Sequence, residues 1–312
     1  KPNRATQLVE THRKKFSGVS SKSKRSLVSK SMADNEADAV ILTKPDSICW
    51  LLNIRGKDII HTPIIQSLAI VQKDSSTKLF LRNKNLRKNI ISFLGNDVEV
   101  IDQRSFSKYV SNLTQQNIQI DPTSCPMAVF ESLKVQSKNI IQRTDPCLLP
   151  KAIKNPTEIK GARLAHLIDA TAFIEFLHWL DSVNDQSQLD EIMVTKKLEE
   201  FRNNTGQLEE IAFDTICGSG SNGAIVHYRV TEQSNKKLEK NNLLLIDSGG
   251  QYRMGTTDLT RTIAIGRPSQ NMINIFTHVL KGMIKISSLN WPEGLSGQHI
   301  DSLAREPLWS LG

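Results

Sequence analysis

Residues 243–262 read LLLIDSGGQYRMGTTDLTRT. An apolar run ends in Asp247, and eleven residues later a threonine-rich run carries Asp258. Gly249, Gly250 and Gly255 lie between them, as a loop at a strand reversal requires. A turn centred on Tyr252 and Arg253 would pair two antiparallel strands with Asp247 opposite Asp258, or nearly so. The side chains would share one face a few ångströms apart. Thr260 and Thr262 would lie on the face of Asp258, because strand side chains alternate. Two facing carboxylates repel, and they need a shared proton, a cationic partner or a metal. Oxygen ligands so placed suit a hard or borderline divalent ion. Spacing alone leaves open, and by itself favours, a plainer reading: each aspartate merely ends a solvent-facing strand.

Outward from this stretch, the chain divides by its periodicity. Residues 1–30 form a basic lead-in that runs into helical material, SSKSKRSLVSKSMADNEA. Strand signals follow at 38–43, 47–54, 64–72 and 77–81. RKNIISFLG reads as a short helix, 98–102 as a strand, FSKYVSNL as a helix and 116–121 as a strand. This alternation predicts an α/β domain over 31–148. A proline-rich segment, TDPCLLPKAIKNPTE, marks the boundary to a second region, 149–312. There Asn155, Pro156 and Glu158 make a strong helix start. A second amphipathic helix spans 189–204. Strands follow at FDTICGSG, AIVHYRV, NLLLIDSG and TTDLTRTIAIG, then a helix over 271–289. The second region is α+β.

The net charge of +8 invites a nucleic-acid reading. All of it lies in residues 1–30, which hold nine Lys or Arg against Glu10; the remainder carries 31 of each sign. A single aromatic, Phe16, accompanies that stretch, so base stacking has no platform and nucleic acid is an unlikely partner. A solvated linker or amphipathic helix explains the charge. No apolar run approaches the roughly 18 residues of a membrane span, and no signal peptide is visible. Cys49, Cys125, Cys147 and Cys217 form no C-x-x-C pair, which points to reduced thiols and a cytoplasmic protein.

The wider sequence then changes the weight of the carboxylate pair. LLLIDSGGQYRMGTTDLTRT closely resembles the metal hairpin of the creatinase, or pita-bread, metallopeptidases. NGAIVHYRVT (222–231), NPTEIKGARLAHLIDATAFIEFLHWLD (155–181) and PDSICWLLNIRGKDIIHTPI (45–64) are narrower. Together with HRKKFSGVSSKSKRSLV (12–28), they resemble the Xaa-Pro aminopeptidase (aminopeptidase P) branch of three-domain type. The resemblance covers residues 12 to 312. It implies an α/β creatinase N-terminal-like domain followed by the first half of an α+β pita-bread catalytic domain.

The resemblance further implies a cytosolic exopeptidase that releases an N-terminal residue preceding proline, with two divalent ions, usually manganese. The family's ligands are two aspartates, a histidine and two glutamates. Asp247 matches the first aspartate and Asp258 the second, bridging one. His227 matches the histidine beside the substrate that helps hold the reacting amide. A homodimer is a family expectation. The family's histidine and two glutamate ligands fall in a segment expected after Gly312, and its first domain is absent apart from the lead-in. His278, His299 and Glu306 lie in helical segments and do not replace them. The expectation is therefore a chain truncated at both ends, weakly active or inactive alone. The alternative is a non-catalytic remnant or an interaction module on the same scaffold.

Overall fold

The computed structural model describes residues 8–83 and 86–312. They fall into two compact units. One draws on Lys1–Ala172, Arg202–Asp214 and Gly249–Asp258; the other on Phe173–Phe201, Thr215–Ser248 and Leu259–Gly312.

The first unit opens with β1 (Glu10–Thr11), α1 (Lys14–Ser17) and α2 (Ser21–Asp34). Next come β2 (Ala39–Leu42), α3 (Pro45–Leu52), β3 (Ile54–Arg55), β4 (Leu68–Gln72) and β5 (Thr77–Leu81). They are followed by α4 (Lys88–Leu94), β6 (Val98–Asp102), α5 (Phe106–Ser111), β7 (Asn117–Ile120), α6 (Met127–Val135), β8 (Asn139–Gln142) and α7 (Leu148–Ala152). The main sheet is mixed, in the order β6-β5-β4-β2-β7-β8. Its alternating side chains serve two cores. Val40, Leu42, Ala69, Val71, Leu79 and Leu81 pack with Val28 and Met32 of α2 and with Ile48, Leu51 and Leu52 of α3. Ala39, Ile41, Ile70 and Phe80 face the other way, onto Phe106, Val110, Val129 and Leu133. A strand covered on both faces is apolar at every position, as β2 is. This three-layer arrangement is the α/β domain expected from the alternation of elements.

Two strands differ from expectation. Residues 47–54 are predicted as a strand, but Pro45–Leu52 is helical and only Ile54–Arg55 is extended. Pro45 sits at the start of the helix, and Ile48, Leu51 and Leu52 repeat at helical spacing on its buried side. Asn53 closes the helix in the left-handed conformation. The strand expected over 64–72 is confined to Leu68–Gln72. The basic lead-in runs into a helix, as one of the two expectations for it has it, with one side of that helix buried. Ser20 caps α2, and Lys24 and Arg25 on that helix are buried. Lys24 Nζ donates to Trp50 O (2.9 Å) and Asn53 Oδ1 (2.8 Å), and Arg25 donates to Ser75 O. Part of the positive charge therefore ties α2 to the domain.

The chain continues through α8 (Pro156–Ser182), α9 (Glu191–Asn204), β9 (Leu208–Ile211), β10 (Ile216–Ser219), β11 (Asn242–Ser248), β12 (Gly250–Tyr252), β13 (Leu259–Ile265), α10 (Gln270–Ser287) and α11 (Gly297–Trp309). The predicted start of α8 is present in detail. Asn155 Oδ1 accepts from the Thr157 and Glu158 amides, and Glu158 reaches back to the Asn155 amide. In the second unit β10, β11 and β13 form an antiparallel sheet with β11 central. Leu244 and Ile246 point to a core built with Phe173, Phe176, Leu180, Val194 and Leu198.

Candidate metal and peptide-binding residues

Asp247 is the penultimate residue of the central strand β11, between Ile216 on β10 and Thr260 on β13. Leu244, Ile246 and Ser248 alternate into the core, so Asp247 projects with Leu243 and Leu245 from the other face. Its Oδ1 is buried and has no hydrogen-bond partner among the described residues. A buried carboxylate oxygen without a donor is costly unless a cation completes it. On the same face, an apolar cleft of about 200 Å³ opens among Leu243, Ala264, Met272, Ile273 and Phe276.

The register of the hairpin differs from the expectation by two residues: Thr260, not Asp258, stands opposite Asp247. Asp258 lies just before β13 and is exposed. Two features move the turn. Gly255 packs where a Cβ would lie 3.1 Å from the Cα of Ala162, so this glycine belongs against α8. Tyr252 and Gly255 exchange backbone hydrogen bonds, and Thr257 Oγ1 accepts from the Gly250 amide at 2.8 Å. The reversal therefore centres on Arg253 and Met254.

The segment carrying Asp258 is anchored by Asp169, Arg202 and Tyr252. β12 pairs with β9. The Tyr252 hydroxyl donates to Asp169 Oδ1 at 2.8 Å. Arg202 grips the same carboxylate through Nε (2.7 Å) and Nη2 (3.1 Å). Arg202 is 0% and Asp169 1% exposed. Burial and the Asp169 carboxylate both push the Tyr252 phenol upward. One signal was available: Asp169 interrupts the apolar stripe of α8, a place a carboxylate occupies only with a partner.

His227 is exposed and does not lie in a strand, contrary to the reading of AIVHYRV. Residues 220–224 form a 3-10 turn and His227 has φ of 55°. Ile225 and Val226 beside it are exposed, so the alternation of a half-buried strand is absent. Tyr228 is buried, and its hydroxyl donates to Glu191 Oε2 at 2.8 Å.

Among the described residues, no group of three or more His, Cys, Asp or Glu side chains could hold a metal ion. The orphaned oxygen of Asp247 fits one ligand position; these residues do not by themselves complete a metal centre. His278 Nδ1 is engaged with Asn274 O, and His299 belongs to the cap of α11.

The class follows from comparison with known proteins. Residues 1–158 match the creatinase/prolidase N-terminal domain and residues 160–312 match metallopeptidase family M24. The chain belongs to this creatinase/M24 metallopeptidase family, with its pita-bread fold. Within it, the chain is 37% identical over 304 residues to Xaa-Pro aminopeptidase 1 of Dictyostelium discoideum, covering 96% of this chain and 48% of the relative. It is 33% identical to the Xaa-Pro aminopeptidase ApepP of Drosophila melanogaster, covering 100% of this chain and 51% of the relative. The X-prolyl aminopeptidase of Caenorhabditis elegans, described as a cytosolic enzyme with a di-nuclear active site, superposes with a TM-score of 0.90 at 29% identity. That match covers 100% of this chain and 52% of the other. The chain thus spans about half the length of the relatives it matches.

Proposed function

We propose that this chain carries part of the active site of an Xaa-Pro aminopeptidase, acting on peptides with proline in the second position. The observation that carries the reading is the 37% identity to a named Xaa-Pro aminopeptidase across nearly the whole chain. Residues 31–148 are the creatinase-type second domain behind the 1–30 lead-in, and 149–312 are catalytic-domain sequence. Asp247 and Asp258 would hold the metal ions. The cofactor is a pair of divalent ions, manganese above all, and the orphaned Asp247 oxygen supports a cation there. Bound ions of this kind lower the pKa of water and polarise a carbonyl. His227, exposed at its turn, donates a hydrogen bond to the scissile amide oxygen as charge develops on it. Four free cysteines support a reducing, cytoplasmic setting. No described helix is long and apolar enough to cross a membrane. A homodimer completes the proposal.

The two aspartates by themselves leave most of the coordination of two ions to water, and neither they nor His227 is assigned the role of general base. Residues 1–312 assayed by themselves should therefore show little or no turnover. The test is hydrolysis of the tripeptide Arg-Pro-Pro with added manganese. The expected result is no turnover above background. Turnover that disappears in Asp258→Ala would overturn the claim of inactivity.

A further inference from the structure

Glu191 has no role in the function proposed for this chain, yet it is 0% exposed at the start of α9. Its carboxylate gathers donors from three places in the chain. Oε1 accepts from the Ser219 amide at 2.7 Å and from Asn222 Nδ2 at 2.9 Å. Oε2 accepts from the Tyr228 hydroxyl at 2.8 Å and the Lys236 amide at 3.2 Å. Asn222 Nδ2 also donates to the Tyr228 hydroxyl oxygen at 2.8 Å. Charge-assisted bonds of this kind are stronger than neutral ones, and a buried carboxylate stripped of them is costly.

These donors bracket His227 in sequence: Ser219 and Asn222 before it, Tyr228 next to it, Lys236 after it. Between them the backbone closes through Ile225 N–H to Asn222 O and Tyr228 N–H to Ile225 O. His227 itself occupies the left-handed region, at φ of 55°. A non-glycine residue stays in that region only where its surroundings over-determine it. The side chains of Ile225, Val226 and His227 are exposed, so their own packing does not hold the turn. The side-chain hydrogen bonds that flank it centre on Glu191, with Ser234 O also accepting from Asn222 Nδ2 and lying 3.0 Å from the Tyr228 hydroxyl.

We propose that Glu191 is the positioning residue of the His227 turn: its buried carboxylate sets the direction in which the imidazole is presented to a peptide substrate. The link to a substrate depends on the function proposed above for His227; the anchoring itself does not.

The test is amide hydrogen exchange on the metal-free, peptide-free chain, read over 220–236 with the 39–120 sheet as internal control. Glu191→Gln keeps the shape and removes the charge. It is expected to raise exchange at 222–228 by about tenfold or more while leaving the control sheet unchanged. The His227 imidazole Cε1–H resonance should move in the same variant, and Glu191→Asp, which keeps the charge, should fall between Gln and wild type. Wild-type exchange in a folded Glu191→Gln chain would overturn the proposal. Should that variant not fold, Tyr228→Phe deletes one donor only and must raise exchange in the same segment; no change there would equally overturn it. A second arm titrates Arg-Pro-Pro into wild type while observing His227. Absence of a shift there, with the exchange effect present, would refute the role of His227 and leave the anchoring intact.

Discussion

Removing the Asp169 carboxylate should unlock the segment that carries Asp258. Asp169 and Arg202 are both essentially inaccessible to water, and three donor groups converge on one carboxylate. Asp169→Leu removes the Asp169 counter-charge from the buried guanidinium and the acceptor from the Tyr252 hydroxyl. Breaking one side of a buried pair costs about 3–5 kcal/mol, against a total stability of about 5–15 kcal/mol for a typical domain. Replacing the whole network by apolar residues behaves differently, because no buried charge is then left alone. The triple variant Asp169→Leu, Arg202→Met, Tyr252→Phe should recover most of the loss and come within about 1–2 kcal/mol of wild type. Urea unfolding followed by circular dichroism gives the free energies, and hydrogen exchange in β9 and β12 localises the effect. A loss below about 1 kcal/mol for Asp169→Leu alone would refute the reasoning. So would a triple variant no more stable than the single one.

Two further outcomes follow from buried groups elsewhere. Burial and the neighbouring Arg55, Lys24 and Arg253 charges hold His12 down to about 3 from its ordinary 6.5. The unfolded chain therefore binds the proton first. His12 thus contributes acid sensitivity: stability falls as pH drops through 6.5 and levels near 3, by at most about 1.4 kcal/mol per pH unit. His12→Gln should flatten that part of the stability profile, and an unchanged slope between pH 7 and 4 would count against it. In the second unit, Gly282 of α10 lies where a Cβ would come 2.3 Å from Ala304 O on α11. Gly282→Ala should force the two helices apart and cost about 1–3 kcal/mol, despite the better helix propensity of alanine. A rise in melting temperature would contradict it.

The parts legible in the sequence were those whose signal is local. The Asn155-Pro156-Glu158 start of α8 and the alternation in β11 are each decided by a few neighbouring side chains. The strand expected at SICWLLNI (47–54) is instead mostly helix, because a short, continuous apolar run satisfies strand and helix alike and tertiary packing selects the helix. The reversal after β11 moved by one position because Gly255 answers to Ala162 on α8, a contact no local spacing contains. The same holds for Asp169, Arg202 and Tyr252, which stand far apart in sequence and matter only once folded together. His227 was identified through resemblance; its left-handed turn depends on a buried glutamate 36 residues earlier in the chain.

The roles of Asp247 and Asp258 are tested most directly by manganese uptake, measured as loss of the free-ion signal in electron paramagnetic resonance. The wild-type chain should bind manganese weakly, in about the millimolar range, since water must complete the coordination. Asp247→Asn and Asp258→Asn should each weaken that binding by about tenfold or more, with the fold unchanged by circular dichroism. Equal manganese uptake by wild type and both variants would contradict the assignment of these aspartates as metal ligands.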